Sequence, residues 1–336
     1  MCIPGTALSR YVNLYTDFAF KKVFGTEANK DLLISFLNQL MGLKNGGEIK
    51  DLTYLNPEQL GDNVNERRAI YDVYCTTESG EQFIVEMQKA KQDHFKDRAL
   101  YYSSFALREQ GKKGTSTKPW DYSLMPVYVV GILNFVMDDK DDGNEDVITH
   151  VMLKDGNDKV FSKNLQFIFL EMPKFVKRED ELETFLDKWL YVIKNLNRLD
   201  DKPAALTEAV FHRLFEVAEI SQFSKVDRAE YEESLKVFWD FSNVLSTAER
   251  KGHAEGVAEG RAAGLEEGRA AGLEEGRAAG LAEGRAAGLE EGRAAGLAEG
   301  ERQANLCNAK KLKAMGVEVS AITFVTGLTA DEIEKL

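Results

Sequence analysis

The sequence predicts an α/β domain with a mixed sheet flanked by helices, followed by an all-helical region and a Gly-rich octad repeat. Three observations carry this. Residues 1 to about 175 alternate helical and strand patterns, residues from about 178 to 250 carry helical spacing only, and Gly recurs every fourth residue from Gly252 to Gly300. The order helix, three strands, helix, strand belongs to a layered α/β domain. The expected divisions are 1–175 for that domain, 176–251 for the helical region, 252–300 for the repeat and 301–336 for a small helical tail.

The first helix is expected after Thr16 and Asp17, with Phe20, Val23 and Phe24 and then Leu32, Leu33, Phe36, Leu37 and Leu40 at helical spacing, broken near Gly25–Thr26. A short strand is expected at 49–55. Two stronger strands, Arg68–Thr76 and Gln82–Lys89, flank Thr77-Glu78-Ser79-Gly80-Glu81, a hairpin turn with Gly where a positive φ is often required. Residues 92–110 fit a helix ended by Gly111. Met125–Phe135 is an apolar, β-branched run that fits a buried strand. Asp138–Asp146 is an acidic, solvated loop, and strands are expected at 147–154 and 165–171. Amphipathic helices follow at 179–199 and 204–221. A third helix from near Asp227 is expected to turn Leu235, Phe238, Trp239 and Phe241 inward.

The unit EGRAAGL followed by Glu or Ala starts at Glu259, Glu267, Glu275, Glu283 and Glu291. Residues four apart share one side of a helix and drift by about 40° per step, so the glycines would trace a slowly winding stripe. Each interior Gly costs about 1 kcal/mol relative to Ala. Two readings stay open: a partly helical spacer lengthened by duplication, or a close-packed Gly-stripe helix that associates with copies of itself. The tail reads as short helices separated by Gly316 and Gly327, with Thr329 and Glu332 spaced as a capping box. Its last helix is acidic, which fits a compact cap or oligomerisation element better than a DNA reader.

Composition excludes several classes. The formal net charge is −13, from 43 Lys and Arg against 56 Asp and Glu. Residues 1–135 are balanced, with 16 of each sign, so the excess lies downstream and a locally basic groove in the first half is compatible with the total. Three widely spaced cysteines, Cys2, Cys75 and Cys307, argue against a disulfide scaffold or a metal knuckle. No apolar run approaches the ~20 residues of a membrane helix. MCIPGTALSRY has neither a basic start nor an apolar stretch, so no secretory signal is expected and the expected location is cytoplasmic. The four histidines form no ligand spacing, and no phosphate-binding Gly loop or nucleophile elbow is present.

The hairpin 68–90 carries the chemistry. Both strands are apolar on both faces near their middles, and each holds one carboxylate there: Asp72 and, after thirteen intervening residues, Glu86. Carboxylates in a buried strand are costly unless paired with a cation or a metal. Two readings are open from the residues alone: a shared Mg²⁺ or Mn²⁺, which suit oxygen ligands, or ion pairing with Arg67, Arg68 or Lys89.

An Asp followed by Glu86-Met87-Gln88 resembles the PD-(D/E)XK nuclease superfamily. More closely, residues 15–135 resemble the Rpn-type recombination-promoting nuclease and transposase family, through TDFAFKKVFG (16–25), LLISFLNQL (32–40), YLNPE (54–58), RRAIYDVYC (67–75), FIVEMQ (83–88), RALYYSS (98–104) and PVYVVGILNF (126–135). The resemblance implies a restriction-endonuclease-like fold and a metal-dependent DNA endonuclease acting in DNA recombination. Asp72 and Glu86 would hold Mg²⁺ or Mn²⁺, with the Met87 carbonyl as a third ligand, and Gln88 would stand where the superfamily usually has Lys. Gln88 can orient a water but supplies no charge. Strand alternation points Lys89 away from Glu86, which makes Arg98 the expected cation. Lys21 is a candidate phosphate contact or a solvated helix lysine, and Tyr101 and Tyr102 are candidates for base stacking or for ordinary core and rim positions.

The expected partner is DNA, without membrane. Cleavage of both strands would need two sites, hence an expected homodimer. The rival expectation is a catalytically inactive nuclease fold that binds DNA, or a self-assembling interaction protein built on the octads.

Overall fold

A computed structural model describes residues 9–44, 46–59, 69–111, 123–137 and 145–336. Arg67, Arg68 and most of the acidic stretch from Asp138 lie outside the described residues. The chain divides into two compact units, residues 1–244 and 245–336.

In the first unit, α1 (Asp17–Phe24) starts at Thr16, whose hydroxyl accepts from the Ala19 N–H, and buries Ala19, Phe20, Val23 and Phe24. Helix α2 (Lys30–Leu40) buries the expected five positions from Leu32 to Leu40. Then come β1 (Leu52–Tyr54), β2 (Glu58–Gln59), β3 (Ala69–Ile70), β4 (Val73–Thr77) and β5 (Gln82–Gln88). Helix α3 (Phe95–Gln110), capped by Gly111 as expected, leads to β6 (Val127–Leu133), β7 (Ile148–Lys154) and β8 (Val160–Glu171). Six strands form one sheet in the order β1-β4-β5-β6-β8-β7. It is mixed: β5, β6 and β8 run parallel and the outer pairs antiparallel. The parallel step from β5 to β6 needs a crossover, which α3 supplies.

Both faces of the central strands are covered, which is why they read as continuous apolar runs. Val73, Cys75, Phe83, Val85 and Val130 face the larger core with α1 and α2. Tyr74, Ile84, Val129 and Phe169 face a smaller core under α3. Gly80 takes φ +90° in the β4–β5 turn, as the turn required. Gly131, beside Glu86 in the β5–β6 register, makes room for Phe169: an added Cβ would stand 2.9 Å from its ring. Gly131→Ala is therefore expected to destabilise the fold by about 1–3 kcal/mol through overpacking, measured by urea unfolding; an unchanged midpoint would refute this packing argument.

The expected strand Arg68–Thr76 is broken. Ala69–Ile70 pair with β2 in a separate two-stranded ribbon, and pairing with β5 begins only at Val73. The expected helical region packs on the sheet itself. Helices α4 (Phe185–Asn195) and α5 (Ala209–Ala218) send Trp189, Leu190, Phe211 and Leu214 into the larger core. Trp189 lies 5.7 Å from Phe36 and 5.2 Å from Phe211 between ring centres. Helix α6 (Lys225–Ala314) is pinned at its start: Tyr231 Oη accepts from the Asn13 N–H at 3.0 Å, and Ser234 Oγ from the Phe18 N–H at 3.2 Å. Leu235 and Phe238 pack on the core, but Trp239 and Phe241 are exposed, contrary to the inward expectation. Helical spacing lets only one stripe of α6 reach the fold; Trp239 falls off it, and Phe241 stands on it beyond the packed core.

In the second unit the octads lie within α6, with residues 251–300 exposed and open space around every repeat glycine. Helices α7 (Val319–Thr326) and α8 (Ala330–Glu334) close a small core of Ala309, Ile322, Leu328 and Ile333. The Thr329–Glu332 capping box forms, and Lys313 Nζ donates to the carbonyls of Ile333 and Glu334. Since a Cβ meets nothing at the repeat glycines, Gly268→Ala and Gly276→Ala are expected to add about 1 kcal/mol of helix stability each, read as a later loss of ellipticity at 222 nm on heating. No helix among the described residues is long and apolar enough to cross a membrane.

Candidate active site

The β4–β5 pairing sets the site. Val73 stands opposite Val85, so the register carried on by one residue puts Asp72 opposite Glu86. There the backbone ladder gives way to side chains. The Met87 N–H donates to Asp72 Oδ2 at 2.7 Å, and the Asp72 N–H donates to Glu86 Oε1 at 3.3 Å. Each carboxylate takes the place of a carbonyl that a continued strand would offer, which accounts for the break before Val73. Gln88 Nε2 donates to Glu86 Oε2 at 3.1 Å. Glu86 and Gln88 share the strand face of Ile84, which looks toward α3.

Both acids are held above their ordinary range. Burial pushes Asp72 up, opposed by the Met87 N–H bond, with nearby Asp17 adding to the rise. Burial, then the charge of Asp72, pushes Glu86 up to about 8; Arg98 opposes this. Two facing carboxylates with too little neutralisation hold protons tightly or recruit a cation.

Asp72, Glu86, Met87, Gln88 and Arg98 line a single cleft of about 350 Å³. Arg98 donates to Gln92 Oε1 at 2.6 Å and lies over the Tyr102 ring, 5.5 Å from its centre. Lys89 also lines the cleft: β5 ends at Gln88, whose carbonyl accepts from the Asn134 N–H, and strand alternation stops applying there. Lys21 is not in this cleft. It lines an adjoining hollow of about 740 Å³ and pairs with Asp17 at 2.9 Å. Tyr101 lines neither; its ring packs edge-on against Phe105 at 5.1 Å, and Tyr102 is the tyrosine at the cleft. Sequence reasoning missed Asp17, Val237 and Phe241 as lining residues. Asp17 looks like a helix-start acid, and the other two stand far along the chain on a helix whose placement no local pattern reveals.

The donor set fits a hard divalent cation. Asp72 and Glu86 present only oxygens, and no group of three or more His, Cys, Asp or Glu able to hold a metal occurs among the described residues. Two carboxylates with waters and substrate phosphate completing the shell is the habit of Mg²⁺ rather than of a closed structural site.

A family model described as PD-(D/E)XK nuclease family transposase matches residues 14–248. That span takes in the whole sheet, the helices on both of its faces and every residue lining the cleft. No curated protein and no solved structure matches the chain.

Proposed function

The chain belongs to the PD-(D/E)XK nuclease family transposases, and from that premise we propose that its cleft hydrolyses DNA phosphodiester bonds, as an endonuclease that promotes DNA recombination. The observation that carries the proposal is the facing pair Asp72 and Glu86, held above the ordinary carboxylate range at the floor of an open cleft. Asp72 and Glu86 would hold Mg²⁺ or Mn²⁺, with the Met87 carbonyl as a further donor. A divalent cation there supplies Lewis-acid stabilisation of the phosphodiester and lowers the pKa of water.

The chain's own groups supply the rest. Gln88 spends its Nε2 on Glu86 and has its Oε1 to accept from, and so orient, a water in the cleft. It brings no charge, so Arg98 and Lys89 provide the positive field for the phosphate. The Gln92 bond holds the Arg98 fork in place, which lowers its cost of ordering. Cutting both strands with one such cleft per chain calls for two copies on the DNA.

The test is nicking of supercoiled plasmid with Mg²⁺ or Mn²⁺ by the wild type and by Asp72→Ala and Glu86→Ala. Metal-dependent nicking lost in both variants supports the proposal, and activity that survives both overturns it. Gln88 in the usual Lys position favours one second reading, a fold that binds DNA without cutting it; DNA binding with no cleavage under any metal would select that reading.

A further inference from the structure

We infer that the cleft takes an unpaired nucleotide, so that the favoured substrate is DNA with single-stranded or extruded bases rather than an intact duplex. This rests on the reading of the cleft as a nuclease site.

The mouth of the cleft is apolar where a duplex clamp would be cationic. Ile70, Val237 and Phe241 line it, yet remain 57%, 53% and 43% exposed. Val237 and Phe241 are one helical turn apart on α6 and so form one wall. That wall is fixed, because the same stretch of α6 is tied to the 13–18 segment through Tyr231 and Ser234. Tyr102, on α3, also lines the cleft, with Arg98 against its ring and its carbonyl accepting from Tyr71 Oη at 2.9 Å. Contiguous apolar surface left in water beside a polar centre marks a place where a ligand with an apolar face can bind.

Charge points the same way. Among the described residues lining the cleft, two cations, Lys89 and Arg98, stand with three acids, Asp17, Asp72 and Glu86, so the cleft itself offers few cations for phosphate contacts. Duplex binding draws most of its affinity from such phosphate contacts. Base faces are stacked out of reach in a duplex, whereas an unpaired base presents its ring to aromatic and apolar side chains. A volume of about 350 Å³ is on the scale of one nucleotide.

The experiment is fluorescence anisotropy of the full chain in EDTA, so that binding is read without cleavage. The probes are one dye-labelled strand alone, in a perfect duplex, and in a duplex with a bulge. The single strand and the bulged duplex are expected to bind at least about tenfold more tightly than the perfect duplex, and Phe241→Ala is expected to weaken those two about tenfold while sparing the duplex. Ile70→Ser, at a more exposed position, should do the same to a smaller extent, and thermal melting checks that both variants fold. Equal affinity for all three probes, or losses in the variants that are equal for all three, overturns the inference. A parallel cleavage assay with Mg²⁺ separates the two readings. Cutting of every probe with no binding preference keeps the nuclease and removes the inference. The binding preference with no cutting keeps the inference and removes the nuclease.

Discussion

Asp72→Asn or Glu86→Gln is expected to cut strand cleavage by at least about 100-fold and, at the same time, to raise the melting temperature of the metal-free protein at neutral to mildly alkaline pH. The activity loss follows from the donor set. Changing an outer-shell partner of a metal ligand typically costs about 10–100-fold, and losing a ligand's charge costs more. The gain in stability follows from the electrostatics. Burial and the neighbouring Asp72 lift Glu86 to about 8, so at neutral pH the fold must hold a proton that the unfolded chain gives up. A neutral amide of the same shape removes a penalty on the order of a few kcal/mol, which for a unit of this size is roughly 3–8 °C.

The hydrogen bonds tolerate the exchange. In Asp72→Asn the amide oxygen still accepts from the Met87 N–H, and its NH₂ turns toward Glu86. In Glu86→Gln the Gln88 amide must rotate to present its oxygen. Plasmid nicking and differential scanning calorimetry on the same samples check both arms. A variant that loses activity and also loses stability would mean that the pair is a structural ion network and not a poised site.

Why this pair was legible in the sequence, and its surroundings were not, has a physical basis. Two strands joined by a short turn fix their own register, so alternation from Val73 and Val85 brings Asp72 to Glu86 without knowledge of the rest of the fold. The apolar run of β6 and the Thr16 helix start are equally local. The interruption at Asp72 is a different matter, because side-chain oxygens replacing backbone carbonyls leave no mark on hydrophobic periodicity. Lys89 turned out to line the cleft because the strand stops one residue before it, and strand ends are poorly fixed by pattern. Trp189 and Phe211 show amphipathic spacing in α4 and α5, but spacing does not tell which surface they cover; here it is the sheet's larger core. Phe241 illustrates the same gap at the site. Its place on the cleft depends on where α6 is pinned by Tyr231, a contact between segments far apart in the chain.

The pH dependence of stability is expected to invert when a divalent cation is added. In the metal-free protein Glu86 keeps its proton up to about 8, while in the unfolded chain it ionises near the ordinary 4.5. Between those values the unfolded state binds fewer protons than the folded one, so unfolding becomes easier as pH rises. Asp72, raised in the same direction, adds to the fall. A cation competes with the proton for the same oxygens and binds only the ionised pair. Its stabilisation is therefore expected to be small near about pH 5.5 and to grow up to about pH 8, offsetting the loss seen in EDTA. Melting curves across that range, in EDTA and in excess Mg²⁺, read the difference directly. In Glu86→Gln the EDTA curve should flatten and the Mg²⁺ increment should shrink at every pH. An increment that is the same at both ends of the range would place the bound cation elsewhere than on Asp72 and Glu86, and would remove the premise on which the cleft is read as a metal-dependent site.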